Sequence, residues 1–331
     1  MKNKGLYALV GIICLVFTLI LALPVTGECG KVYTIGITQI VTHPALDANR
    51  KGFIDQMAKE GFTEGKNVKY IVNNPEGDMT LAASIARKFV SQKVDMILAI
   101  ATPTTQACAK AVKGTNIPII FGSLTDPVAA AVVKSWKKPG GNVTGVSDWA
   151  DVGTQVKLIT DICPNVKKLG VIYNAGETNS IVQVNELKKA APGLGIKKIV
   201  EASAATTADV LVAARSLAGR VDAVWVPTDN TVVSAFEAVV KVCEDKKIPL
   251  FAADTATVKR GAIGTPGINY YVLGEECGKI AARVLKGTKP ADIAVKKCAM
   301  TDLYLNPSAA KRLGVTIPKS VLDRATKIVN K

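Results

Sequence analysis

The side chains of this chain that can do chemistry gather in six short segments: 38–43, 102–105, 123–126, 174–180, 228–230 and 254–257. Each closes an apolar run, and each is made of hydroxyls, amides and carboxylates. Such groups bind small polar molecules; by themselves they do not make a catalytic set. His43 is the only histidine. A lone His followed by Pro44 reads as a surface or gate residue, and it leaves no partner for a Ser-His-Asp triad or a zinc cluster. No Gly-x-Ser-x-Gly elbow occurs. No Gly-x-Gly-x-x-Gly follows the first strand, and the stretch from Gly61 to Asn67 is too short for a phosphate loop and lacks its Ser/Thr. The segments therefore read as binding surfaces, with no cofactor and no metal. Carboxylates at Asp126, Asp229 or Asp254 can hold an ammonium group. The free N–H groups and positive dipole of a following helix can hold a carboxylate without an arginine. Thr and Asp at a strand–helix junction also serve as helix caps, so what carries the functional reading is their convergence from several segments.

The elements that must position these segments come in two matched sets. Val94-Asp95 opens an apolar run that breaks at Thr102-Pro103-Thr104, and Val221-Asp222 opens another that breaks at Pro227-Thr228-Asp229-Asn230. Each break leads into an Ala/Val-rich helical pattern, then an Ile-Pro pair (Ile117-Pro118, Ile248-Pro249), then a second apolar run that ends near Asp126 or Asp254. Strands that are continuously apolar and alternate with helical periods predict parallel sheets covered on both faces. In such sheets ligands bind beyond the carboxyl ends of the strands, where all six segments lie. The expected helices include 44–60, 78–91, 105–113, 127–136, 152–162, 179–191, 208–217 and 271–285. Gly/Pro breaks at 139–142 and 264–269 mark crossings between two lobes.

The 331 residues suffice for two domains, and 48% hydrophobic with 21% charged residues predicts a packed core. The formal charge of +15 is spread as lysine pairs with no Arg-rich run, so no nucleic-acid partner is expected. Lys2 and Lys4, the apolar run Leu6 to Leu23, and the small residues Val25-Thr26-Gly27 read as a signal peptide over 1–27. Cys29 raises the alternative of a lipid anchor, although Glu28 before it departs from the usual lipidation box. The cysteines beyond the signal form no Cys-x-x-Cys and read as small buried apolar residues.

The ordered motifs Gly36-Ile37-Thr38-Gln39-Ile40, His43-Pro44-Ala45-Leu46-Asp47, Ile100-Ala101-Thr102-Pro103-Thr104, Thr125-Asp126-Pro127-Val128, Pro139-Gly140-Gly141-Asn142-Val143-Thr144-Gly145 and Val226-Pro227-Thr228-Asp229-Asn230 are together similar to substrate-binding proteins of bacterial ABC importers. They most resemble the group that includes tryptophan and other aromatic amino-acid binders. The resemblance implies an α/β fold with two doubly wound parallel-sheet lobes, the type I periplasmic-binding or Venus-flytrap arrangement, joined by a multi-strand hinge. Lobe 1 would comprise 31–146 plus 267–298, and lobe 2 147–266 plus 299–331. It implies no catalysis, a periplasmic or membrane-attached location, a monomer, and as partners a small solute and a membrane permease with its cytoplasmic ATPase. It places Gln39, Thr102, Thr104, Asp126, Asn174, Glu177, Asn179, Ser180, Asp229, Asn230 and Asp254 near the cleft. Asn174-Ala175-Gly176-Glu177-Thr178-Asn179-Ser180 resembles the family loop expected to take an amino acid's carboxylate through Asn179, Ser180 and backbone N–H groups, with Asp229 or Asp254 on the ammonium. Sugar or nucleoside binding on the same fold is the alternative, as is a ligand-sensing subunit of a receptor.

Overall fold

A computed structural model describes residues 31–330, so the signal segment 1–27 and Cys29 lie outside the described residues. The first sheet has six strands in the order β11-β5-β4-β3-β1-β2, all parallel: β1 (Tyr33–Gln39), β2 (Val68–Asn73), β3 (Met96–Ile100), β4 (Ile119–Gly122), β5 (Val143–Ser147) and β11 (Lys296–Lys297). The second holds β6 (Lys168–Tyr173), β7 (Lys198–Ser203), β8 (Ala223–Val226) and β9 (Leu250–Ala252), parallel in the order β7-β6-β8-β9. β3, β4, β8 and β9 are buried at every position, as the unbroken apolar runs predict for strands covered on both faces.

Helices α1 (Pro44–Lys59) and α10 (Tyr270–Leu285) lie against one face of the first sheet; α2 (Met79–Ser91) and α3 (Thr102–Ala111) lie against the other. α1 and α10 touch backbone to backbone. A Cβ on Gly274 would stand 2.0 Å from the Asn49 carbonyl oxygen, and one on Gly52 2.1 Å from that of Tyr271. The glycines permit this approach, which draws the segment after residue 269 back onto the first sheet. The second sheet is covered by α4 (Val152–Ile162), α5 (Thr178–Ala190), α6 (Val210–Leu217), α7 (Asn230–Ser234) and α8 (Phe236–Lys246), and its core includes Trp225, Phe236 and Phe251.

The repeated Val-Asp pair has a structural task. Asp95 Oδ2 accepts from Thr34 N at 2.8 Å, and Asp222 Oδ2 accepts from Lys167 N and Lys168 N at 2.8 Å. Each aspartate thus ties the start of one central strand to its neighbour, at the end of the sheet away from the polar segments.

Two expectations are corrected. The Gly/Pro break at 264–269 is a strand, β10 (Gly264–Ile268), antiparallel to β12 (Met300–Leu305); with β13 (Lys327–Ile328) they form a three-stranded sheet. β10 is an edge strand, where Pro266 forfeits no ladder donor. The helix expected over 127–136 is a series of turns. Ala131 adopts φ 57°, and Lys134 N is drawn to Pro139 O at 2.9 Å, in a segment rich in β-branched valine. The described cysteines, Cys108, Cys163, Cys243, Cys277 and Cys298, are buried and free.

Candidate ligand cleft

The carboxyl ends of the two parallel sheets face a narrow cavity of only about 20 Å³, far below the roughly 300–1,000 Å³ usual for small-molecule sites, so a solute enters only when the two walls part. One wall comes from the first sheet and its helices: His43, Leu46, Ser123, Thr125, Asp148 and Tyr270. The other comes from the second: Asn179, Thr228, Asp229, Asn230, Val233 and Asp254. A wider, open groove of about 620 Å³ lies beside α4, but of its charged groups Asp151 caps α4, and Lys157 and Arg324 both pair with Asp161. The cavity between the lobes has two buried polar atoms without partners in its wall, His43 Nδ1 and Asn179 Oδ1.

On the first wall, two strand ends are strained. Ala101, after β3, has φ 82° and ψ 158°, a region that almost only glycine adopts. Ser123, after β4, has φ 53°. The Ser123 hydroxyl accepts from Asn49 Nδ2 at 2.7 Å, which leaves its own hydrogen to donate. Ala101 delivers the chain into α3, whose N-terminus has no side-chain cap, and the Thr102 hydroxyl there is buried without a partner. Asp148 follows β5 directly; Thr125 Oγ1 donates to its Oδ1 at 3.0 Å and Tyr270 OH to its Oδ2 at 3.3 Å.

The second wall is a network. Asp229 ends the β8 loop and caps α7 by accepting from Val232 N at 2.8 Å, while its other oxygen accepts from Ser180 Oγ and Asn174 N, both at 2.6 Å. Glu177 accepts from Asn230 N, Asn230 Nδ2, Thr231 N, Thr231 Oγ1 and Asn179 Nδ2. Asn179 Nδ2 also donates to Thr228 O at 2.8 Å, and its Oδ1 is buried without a partner. Asp254 caps α9 (Thr255–Val258) by accepting from Ala256 N at 2.7 Å.

Burial sets the charges here. It pushes the Asp229 carboxyl up to about 7, helped by the negative charge of Glu177 and opposed by the donors from Ser180, Asn174 and Val232. It pushes Asp148 and Asp254 up to about 6 each. It pulls His43 down to about 4, with the nearby Arg260 acting the same way, so the imidazole is neutral at pH 7. No lysine or arginine lines the cavity. Three carboxyl groups therefore face a space with no resident cation, an arrangement that favours a positively charged guest.

Of the residues expected near the cleft, Asn179, Asp229, Asn230 and Asp254 line the cavity. Glu177 and Ser180 stand directly behind them, and Asn174 holds the loop by donating to Ala205 O and Thr231 Oγ1. Thr102 begins α3 beside Ser123, because β3 and β4 pair at Ile100 and Gly122. The other three turn to local tasks. Thr104 Oγ1 donates back to Ile100 O, Gln39 Nε2 donates to Val41 O and Asp47, and Asp126 caps a turn at Val128 and Ala129. His43, expected as a surface or gate residue, is not at the surface: it is buried in the cavity wall with Nδ1 unpartnered, just before Pro44, which starts α1. Asp148 and Tyr270 were missed. The signal for Asp148 was its place immediately after a buried strand. For Tyr270 it was the Asn269 cap, which accepts from Tyr271 N and Val272 N.

Two parallel doubly wound lobes with a polar cleft between their carboxyl edges define a binding protein of the type I periplasmic-binding fold. The chain belongs to the ABC transporter substrate binding protein family, whose sequence pattern it matches over residues 34–329. It is 42% identical over 283 residues to a tyrosine-binding protein of Clostridioides difficile, a match covering 86% of this chain and 81% of that protein. It superposes with TM-score 0.87 and 38% identity on an ABC domain from Streptococcus pneumoniae in complex with L-Trp, over 90% of this chain and 100% of that one. Against the ligand-free, open structure of a Clostridium difficile substrate-binding protein with adhesive properties the TM-score is 0.69 at 41% identity, over 91% and 100%. At similar identity and coverage, this structure is thus less alike in shape to that open one than to the L-Trp complex.

Proposed function

We propose that this protein captures an amino acid, with an aromatic one the leading candidate, by closing its two lobes over it and delivers it to an ABC permease. The observation that carries this reading is the cavity walled by Asp148, Asp229 and Asp254 and lined by no lysine or arginine. An α-ammonium group supplies the missing charge. The names of the two relatives, a tyrosine binder and a tryptophan-bound domain, support the same class.

The donors of the 174–180 loop are committed within their own lobe. The ammonium is therefore assigned to the acceptor-rich second wall, where Asp229, Asp254 and the free Asn179 Oδ1 stand. The carboxylate is assigned to the first wall, to the Ser123 hydroxyl with Thr102 and the uncapped start of α3. We divide the lobes as 31–146 with 267–298 and 147–266 with 299–331. The protein acts outside the cytoplasm as a monomer, catalyses nothing, and depends on a cytoplasmic ATPase bound to the permease for transport. Thermal-shift screening against the amino acids, sugars and nucleosides tests the reading. Stabilisation by tyrosine or tryptophan is expected; stabilisation by a sugar or nucleoside alone overturns it.

A further inference from the structure

Asp148 and Asp254 belong to opposite sides of the cleft. Asp148 follows β5 of the first sheet, and its partners Thr125 and Tyr270 are on that side. Asp254 follows β9 of the second sheet and caps α9. Both line the one cavity, each nearly inaccessible to solvent at 3% exposure. Burial is the main cause that raises both carboxyls and the Tyr270 phenol; the charge of Asp148 adds to the rise of Asp254, and both charges add to that of Tyr270. Closure brings these like charges together and strips their water, which opposes closure of an empty cleft. The wall between them also contains two buried polar atoms without partners, Asn179 Oδ1 and His43 Nδ1. An unpaired acceptor in such a wall marks a place built for a donor that arrives from outside.

We propose that Asp148 and Asp254 form an electrostatic gate: burying these two like charges in one small cavity opposes closure of the empty cleft, and an ammonium group held at the second wall beside Asp254, facing Asp148, lets it close. The proposal rests on the amino-acid reading only for the identity of the ammonium; the repulsion itself is independent of the solute. Arg260, which does not line the cavity and is engaged bidentately by Glu237 at 2.7 Å, offsets part of the charge of Asp254 from that residue's own side of the cleft. His43 is neutral, Cys298 faces Asp148 as a buried thiol, and Asp229 adds a third negative group. The gate makes the α-amino group the feature that the closed state requires, so a des-amino analogue with the same ring and carboxylate should dock without closing the lobes.

The test has two arms, using the mature chain. In the first, small-angle X-ray scattering follows the ligand-free protein. Asp148→Asn and Asp254→Asn should each contract relative to wild type at pH 8, and wild type should contract as pH falls from 8 to 5. Ligand-free variants of wild-type dimensions with no pH response overturn the gate. In the second, calorimetry measures L-tyrosine and L-tryptophan binding. Each single variant should lose at least about tenfold in affinity, and the double variant less than the product of the two. Variants that bind like wild type overturn the proposal. Asp254→Asn keeps an acceptor for Ala256 N, so it tests the gate even if Asp148→Asn folds poorly. Should wild type bind no amino acid while the scattering arm behaves as expected, the amino-acid reading falls and the gate stands.

Discussion

Asp229 shows how one side chain serves both binding and folding. Its oxygens take three donors inside the second lobe, from Asn174, Ser180 and Val232. Asp229→Ala should therefore weaken solute binding and also destabilise the protein by about 3 kcal/mol, because buried donors are left unpaired; urea denaturation reads the second effect. The cleft also predicts a pH dependence. Asp148, Asp229 and Asp254 have folded-state pKa values raised to about 6, 7 and 6. Their contribution is full below the ordinary carboxyl range and is lost as pH rises through those values. His43, lowered to about 4, acts oppositely: its contribution is present above 6.5 and is lost as pH falls toward 4. Three carboxyls outweigh one imidazole, so the melting temperature of the ligand-free protein should fall between pH 5 and pH 7, and bound amino acid should flatten that slope. A ligand-free melting temperature that rises across the window contradicts the assignment. The carboxylates Asp229 and Asp254 were legible in the sequence, since an aspartate just past an apolar run and before a helix both caps and faces the cleft. Asp148 was not legible, because the short β5 run beside Gly140-Gly141 hid the strand end it follows. The burial of His43 was not legible, because the residues that share its cavity, among them Ser123, Asp148, Asp229 and Tyr270, are distant in sequence.

At the level of elements, the pairing of α1 with α10 decides whether the first wall exists. Leu46 comes from α1 and Tyr270 from α10, with His43 just before α1. Gly274→Ala should push the helices apart, since the Asn49 carbonyl cannot move out of the way, and should destabilise the protein by at least about 3 kcal/mol. Thermal unfolding measures this; an unchanged melting temperature would mean that the helices are not in backbone contact. The parallel order of both sheets was readable from continuous apolar runs and the duplicated Val-Asp unit. The β10–β12 pairing was not, because Gly264-Thr265-Pro266-Gly267 carries turn-forming residues and only its place at a sheet edge makes it a strand.

At the scale of the molecule, the two lobes meet across the cleft mouth. Gln106 Nε2 on α3 donates to Thr178 Oγ1 at the start of α5 at 3.4 Å and to Ala130 O at 3.2 Å. Removing this bridge with Gln106→Ala should speed solute release and lower affinity by roughly threefold, leaving the solute preference unchanged; stopped-flow fluorescence can follow the release. The two-lobe plan was legible from the repeat, whereas the Gln106–Thr178 contact was not, because it joins side chains that no local pattern brings together. The central claim, that the cleft closes on an α-ammonium group, is tested most directly by titrating the purified protein calorimetrically with L-tyrosine and L-tryptophan and with their des-amino analogues. The structure predicts saturable binding of at least one of the amino acids and at least about tenfold weaker binding of its des-amino analogue. Equal affinity for an amino acid and its des-amino analogue would contradict it.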